Sequence, residues 1–126
     1  MGGWKKALGA VAVAVGLVVA LAGCQEGETA SGDVHKGPAG PGAVRVVMRD
    51  SSFQPGVVQV KAGSPVALEI RNDGSKSHNL SIGSLHVSTG SMHGGDVTTV
   101  RFTAPGGTTE FRCTWHPGMT GQIVGT

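Results

Sequence analysis

The sequence predicts an all-β fold, a small β-sandwich. Three observations carry this. Gly is frequent, at 22 residues, and aromatics are few, with no Tyr, a composition of turns and short strands rather than of a helical bundle. From residue 43 onward, β-branched runs alternate with Gly, Pro, Asn and Asp clusters. No apolar pattern of helical period persists there beyond a turn or two. About seven short strands separated by turn signals fit two packed sheets.

The chain begins differently. Lys5 and Lys6 precede an apolar, uncharged stretch from Ala7 to Ala22, and Leu21-Ala22-Gly23-Cys24 follows. This reads as a signal peptide over 1–23, too short to favour a retained membrane span. The small residues before Cys24 resemble a bacterial lipobox, so Cys24 is expected to carry lipid and anchor the protein outside the cytoplasm. The chain after cleavage, Cys24–Thr126, then keeps eight Lys and Arg (ten minus two) against eight Asp and Glu. A formal charge of zero with scattered basic residues gives no nucleic-acid footprint.

Residues 24–42 are rich in Gly, Pro, Ser and Thr, ending in Gly37-Pro38-Ala39-Gly40-Pro41-Gly42. The composition predicts a flexible tether, with His35 a solvated linker histidine. The 18 residues after Cys24 give a root-mean-square reach of roughly 20–25 Å. The domain is expected over 43–126.

Within the domain, Val44–Met48 is a β-rich run and Phe53-Gln54-Pro55-Gly56 a turn. Val57–Val60 follows as a strand, and Lys61–Ser64 turns again. In the next strand Val66, Leu68 and Ile70 share one face. Asn72–Ser75 is a loop, and His78–Ile82 resumes as a short strand. Ser84–Gly95 reads as loop, with a short strand near Leu85–Val87. Val97–Thr103 alternates, Ala104–Gly107 turns, and Thr109, Phe111 and Cys113 fall on one face. Gln122–Val124 ends the pattern.

The chemistry concentrates in Cys113-Thr114-Trp115-His116-Pro117-Gly118-Met119. A thiolate, an imidazole and a thioether form a soft donor set that suits copper better than zinc or a hard cation. With Cys24 lipidated, Cys113 has no disulfide partner, and a lone thiol in an oxidising compartment is accounted for by metal ligation. His78 is the best candidate for a fourth ligand, and Asn79 beside it is placed to brace the loop. Structural zinc favours Cys₂His₂-type sets. A cysteine nucleophile lacks accompanying substrate-binding or oxyanion elements.

These residues resemble the cupredoxins, the type 1 blue copper proteins that include plastocyanins, pseudoazurins and amicyanins. The resemblance rests on Phe53-x-Pro55, Val60-x-Ala62-Gly63, Val66 to Asn72, Ser77-His78-Asn79, Phe102-x-Ala104-Pro105-Gly106, Phe111-x-Cys113-x-x-His116-x-x-Met119 and the Met119-Thr120-Gly121-x-Ile123-Val124 tail. The two-residue gap between His116 and Met119 is most similar to amicyanin. The resemblance implies a Greek-key β-sandwich with one copper ion. It implies His78, Cys113 and His116 as equatorial ligands and Met119 as the axial one. It implies a non-enzymatic, monomeric carrier of single electrons between redox partner proteins, with His116 as the surface port. A copper-delivery protein is the alternative reading. His86 and His93 read as exposed loop histidines, and Met92 with His93 is the soft pair that a delivery or regulatory copper site would use.

Trp115 departs from the Pro often found at its position in short-loop members. Its backbone N–H is expected to point at the Cys113 sulfur, and its indole to form part of a docking patch.

Overall fold

The computed structural model describes residues 32–126. The expected signal peptide over 1–23, the expected lipidation site Cys24 and the start of the expected tether lie outside the described residues. The fold is a sandwich of two five-stranded sheets. In the first the order is β1 (Asp33–Lys36), β8 (Val97–Thr103), β5 (Pro65–Asn72), β2 (Val44–Met48) and β3 (Phe53–Gln54). In the second it is β4 (Val57–Val60), β10 (Thr120–Gly125), β9 (Gly107–Arg112), β6 (Ser81–Ile82) and β7 (Val87–Ser88). The pairings β2–β5 and β4–β10 are parallel, and the other strand pairs are antiparallel.

The chain crosses repeatedly between sheets, so its alternating residues meet in the middle. Val66, Leu68 and Ile70 of β5 are buried, as their shared face requires. They join Val46 and Met48 of β2 and Val100 and Phe102 of β8, with Phe111 and Ile123 from the second sheet. Phe53 and Phe111 meet edge to face, with centroids 5.0 Å apart and planes at 77°, the arrangement their quadrupoles favour. Gly121, paired with Phe111, makes room for that ring: a Cβ there would lie 2.5 Å from Phe111 Cε2 and 2.9 Å from the Gly56 carbonyl.

The expected tether is corrected by β1. Residues 33–36 pair antiparallel with 98–101 of β8, so ordered structure begins before residue 43. The chain then stays on the sheet. Gly37 N–H donates to Val97 O at 2.8 Å, and its carbonyl accepts from Thr99 Oγ1 at 2.7 Å. Ala39 N–H donates to Glu69 Oε2 at 2.9 Å. The reason is that β8 otherwise presents an unpaired edge, which any backbone can satisfy whatever its side chains. His35 accordingly sits on β1, half-buried, with Nδ1 3.0 Å from an Arg101 guanidinium nitrogen.

Between β6 and β7 a short 3₁₀ turn spans Gly83–Leu85 and ends at His86, whose φ of 55° is left-handed. The short strand expected near 85–87 is β7. Residues 78 and 92 form an isolated bridge, with His78 N–H to Met92 O at 3.0 Å and Met92 N–H to His78 O at 2.8 Å. That bridge fixes the backbone of His78 at one end of the sandwich.

Candidate metal centre

Strand β9 delivers Cys113 to the same end. Its alternation turns Phe111 and Cys113 inward and Glu110 and Arg112 outward. Three backbone bonds then close the following loop. Cys113 N–H donates to Met119 O (3.0 Å), His116 N–H to Cys113 O (3.4 Å) and Met119 N–H to His116 O (3.0 Å). Gly118, at φ 90°, permits the tight return.

The result is convergence. Nδ1 of His78 lies 3.2 Å from Nδ1 of His116 and 3.9 Å from Cys113 Sγ. Cys113 Sγ lies 3.3 Å from His116 Nδ1. His78 and Cys113 are buried at 0% and 2% exposure, and His116 is half-buried at the surface side. Among the described residues these three atoms have polar contacts only with one another.

Three donors facing inward repel unless a proton or a cation lies between them. A trigonal ion with nitrogen and thiolate bonds of about 2.0 and 2.3 Å sets donor edges of about 3.5 Å (N–N) and 3.7 Å (N–S). The two N–S edges, 3.9 and 3.3 Å, lie on either side of their value, and the N–N edge, 3.2 Å, is slightly shorter than its own. The His₂Cys set therefore fits one type 1 copper ion. Met119 is 2% exposed in the same buried cluster, and its carbonyl accepts from Cys113 N–H.

A family model for a cupredoxin-like domain matches residues 11–124. The chain belongs to the cupredoxin-like family. The cupredoxin sandwich is also found in solved amicyanin structures. A Cu(I) form of a methionine-to-alanine amicyanin variant superposes at a TM-score of 0.64 with 21% identity, covering 76% of this chain and 99% of that one. A reduced Cu(I) form of a proline-to-glycine variant at pH 4 gives 0.63 and 21%, with the same coverage. Amicyanin from Paracoccus versutus gives 0.58 and 22%, covering 70% of this chain and 85% of that one. No curated protein matches this sequence significantly.

Around the cupredoxin ligands, Asn79 does what its position suggested. Its Oδ1 accepts from Thr114 N–H at 2.8 Å and its Nδ2 donates to Thr114 Oγ1 at 3.0 Å. It thus joins the segment after His78 to the segment after Cys113. Trp115 is half-exposed, at 49%. Its N–H, however, makes no hydrogen bond to the Cys113 sulfur among the described residues, which corrects that expectation. The Cys113 O to His116 N–H bond makes Thr114 and Trp115 the central residues of a turn. This turn brings the His116 ring, and not the Trp115 backbone, to the sulfur.

The copper-delivery pair is not assembled. Met92 is 1% exposed within the core, whereas the exposed His93 ring has Nδ1 2.9 Å from Ser77 Oγ. His86 is exposed on its own turn.

Two residues to which the sequence analysis gave no role at the site support it. Asn72 is fully buried, its Nδ2 donating to Lys76 O (2.9 Å) and Met92 O (2.8 Å), its Oδ1 accepting from Gly74 N–H (2.8 Å). It shapes the loop leading to His78. Asp50, in the β2–β3 turn, has Oδ1 3.2 Å from Nε2 of His78. The Ser75 hydroxyl above all, then the Lys76 N–H and His78, hold its carboxyl well below the usual carboxylate range. The only local signal for either is a short polar side chain, Asp50 in a turn and Asn72 at the end of β5 beside a loop, where such residues are common whatever their role.

Proposed function

We propose that this cupredoxin is an extracytoplasmic type 1 copper protein that carries single electrons between redox partner proteins and is not an enzyme. The observation that carries the reading is the convergence of His78 Nδ1, Cys113 Sγ and His116 Nδ1, two of the side chains buried and the third reaching the surface. Met119 is the proposed further ligand, through its thioether. Copper held by these residues would supply a one-electron Cu(II)/Cu(I) couple, and a His₂Cys set with a weak thioether donor suits both states.

The chain's contribution is rigidity and access. The His78–Met92 bridge, the Asn79–Thr114 clamp and the three loop-closing bonds hold the donors in one arrangement, so little has to move when an electron arrives. The His116 ring is the proposed surface port, with the exposed Trp115 indole beside it as apolar docking surface. The amicyanins to which the fold is similar were solved in reduced and oxidised forms, which supports a carrier role here. Met92 is buried, so the soft pair that copper delivery would use is not presented together, and electron transfer is the favoured reading. Residues 1–23 are proposed as the export signal, Cys24 as the lipidated anchor, and the segment from 24 to β1 as the tether.

The test is spectroscopic. The Cu(II)-loaded protein should show an intense thiolate charge-transfer band in the visible, bleached by ascorbate and restored by an oxidant. Cys113→Ser should lose the band. A colourless copper-loaded protein, or a coloured Cys113→Ser variant, refutes the type 1 assignment.

A further inference from the structure

Asp50 is distant from the ligand loop in sequence, yet it touches the most buried ligand. It is presented by the turn between β2 and β3, where Arg49 N–H donates to Ser52 O at 2.8 Å. Its Oδ1 lies 3.2 Å from Nε2 of His78 and accepts from Ser75 N–H (2.8 Å) and Lys76 N–H (3.0 Å). Its Oδ2 accepts from the Ser75 hydroxyl at 2.7 Å. Gly74 makes this approach feasible, because a Cβ at that position would collide with Oδ1.

We propose that Asp50 is a positioning residue for the metal centre: it fixes His78 as the Nε2–H tautomer and so turns an unprotonated Nδ1 toward Cys113 and His116. For its effect on metal binding, this inference rests on the metal-centre reading above. The argument is one of proton inventory. A neutral imidazole carries one N–H, and an ionised carboxylate can only accept. The ring proton therefore belongs on the nitrogen facing Asp50. Water is no substitute, since His78 has no exposed surface. The opposite tautomer would leave Nε2 and Oδ1 as two facing acceptors and place a proton among the three converging donors. A carboxylate on the far nitrogen also makes Nδ1 a stronger donor.

Bracing of the loop is a separable effect, because Asp50 also bonds to Ser75 and Lys76. Ser75→Ala removes the hydroxyl arm and leaves the His78 contact in place. Asp50→Ala removes both. Asp50→Asn keeps a neutral acceptor oxygen.

The experiment is ¹⁵N-histidine NMR on the metal-free full chain at about pH 8, above the ordinary histidine pKa, with Zn(II) and Cu(II) affinities measured in parallel by competition. Wild type should show His78 protonated at Nε2. Asp50→Ala should show mixed tautomers and about 10–100-fold weaker binding of both ions. Asp50→Asn should keep the tautomer and lose less affinity. Ser75→Ala should leave both unchanged. A His78 protonated at Nδ1 in the wild type overturns the proposal without recourse to any variant. So does Asp50→Ala with wild-type tautomer and affinity, or Ser75→Ala with the same loss as Asp50→Ala. A wild type that binds no copper sinks the metal-centre reading instead, and the tautomer measurement still decides the role of Asp50.

Discussion

The clamp between Asn79 and Thr114 is open to a quantitative test. Asn79→Ala deletes two hydrogen bonds of 2.8 and 3.0 Å. Each such bond is worth about 0.5–1.5 kcal/mol net. Asn79 is 5% exposed, but Thr114 is an exposed residue, so water replaces the partner of its N–H and the larger penalty of a buried orphan does not apply. The expected loss is therefore about 1–3 kcal/mol of unfolding free energy. In a domain of this size that lowers Tm by roughly 4–8 °C per kcal/mol. Asn79→Asp should lose less, since Thr114 Oγ–H can rotate to donate to the carboxylate while the N–H contact stays. Thr114→Ala removes one bond, and a double-mutant cycle with Asn79→Ala should return a coupling of about 1 kcal/mol. The assay is urea unfolding of the metal-free protein. A loss below about 0.5 kcal/mol for Asn79→Ala, smaller than one ordinary hydrogen bond, would refute the view that the two ligand-bearing segments are tied at this point.

Two further substitutions probe the scaffold. Gly121→Ala forces a methyl against the Phe111 ring and the Gly56 carbonyl, and Gly56 O already accepts from Gln122 N–H at 2.8 Å. Neither neighbour is free to retreat, so the change should destabilise by about 1–3 kcal/mol, as overpacking does, read from the urea midpoint. A neutral result would mean that Phe111 is less fixed than its contact with Phe53 implies. Thr99→Val removes the bond to the Gly37 carbonyl and should cost about 1 kcal/mol. It should also speed proteolytic cleavage within 37–42; unchanged cleavage would show that this bond does not hold the segment down.

Much of the sandwich was legible because alternation reports directly on burial. The buried faces of β5, β8 and β9 follow from Val66-Leu68-Ile70, Thr98-Val100-Phe102 and Phe111-Cys113. The Cys113 and His116 donors were legible because they are close in sequence and unusual in chemistry. His78 was found by its order and its neighbour Asn79. What escaped was structure made by backbone or by distant polar pairs. The contacts of β1 are main-chain bonds that a Gly- and Pro-rich composition does not advertise. Asp50 meets His78 across a sequence separation of 28, and Asn72 meets Met92 across 20. No local pattern records such pairings. Trp115 was misjudged for another reason: the direction of an N–H depends on the turn that carries it, which only the three-dimensional path of the loop defines.

The spacing of the ligands has a consequence for folding. His78 and Cys113 are separated by 35 residues, yet their donor atoms lie 3.9 Å apart. The chain between them contains β6, β7, β8 and β9, strands from both sheets. An ion gripped by both ends is a removable staple across that whole stretch. If it restrains the unfolded chain as a disulfide of equal span does, it is worth about 4 kcal/mol. Cys113 is a free cysteine with no disulfide in the described domain, and through the ion it would perform the task a cystine performs elsewhere. Such a staple opens to a chelator rather than to a reductant, so the durability of this half of the sandwich would follow the supply of metal.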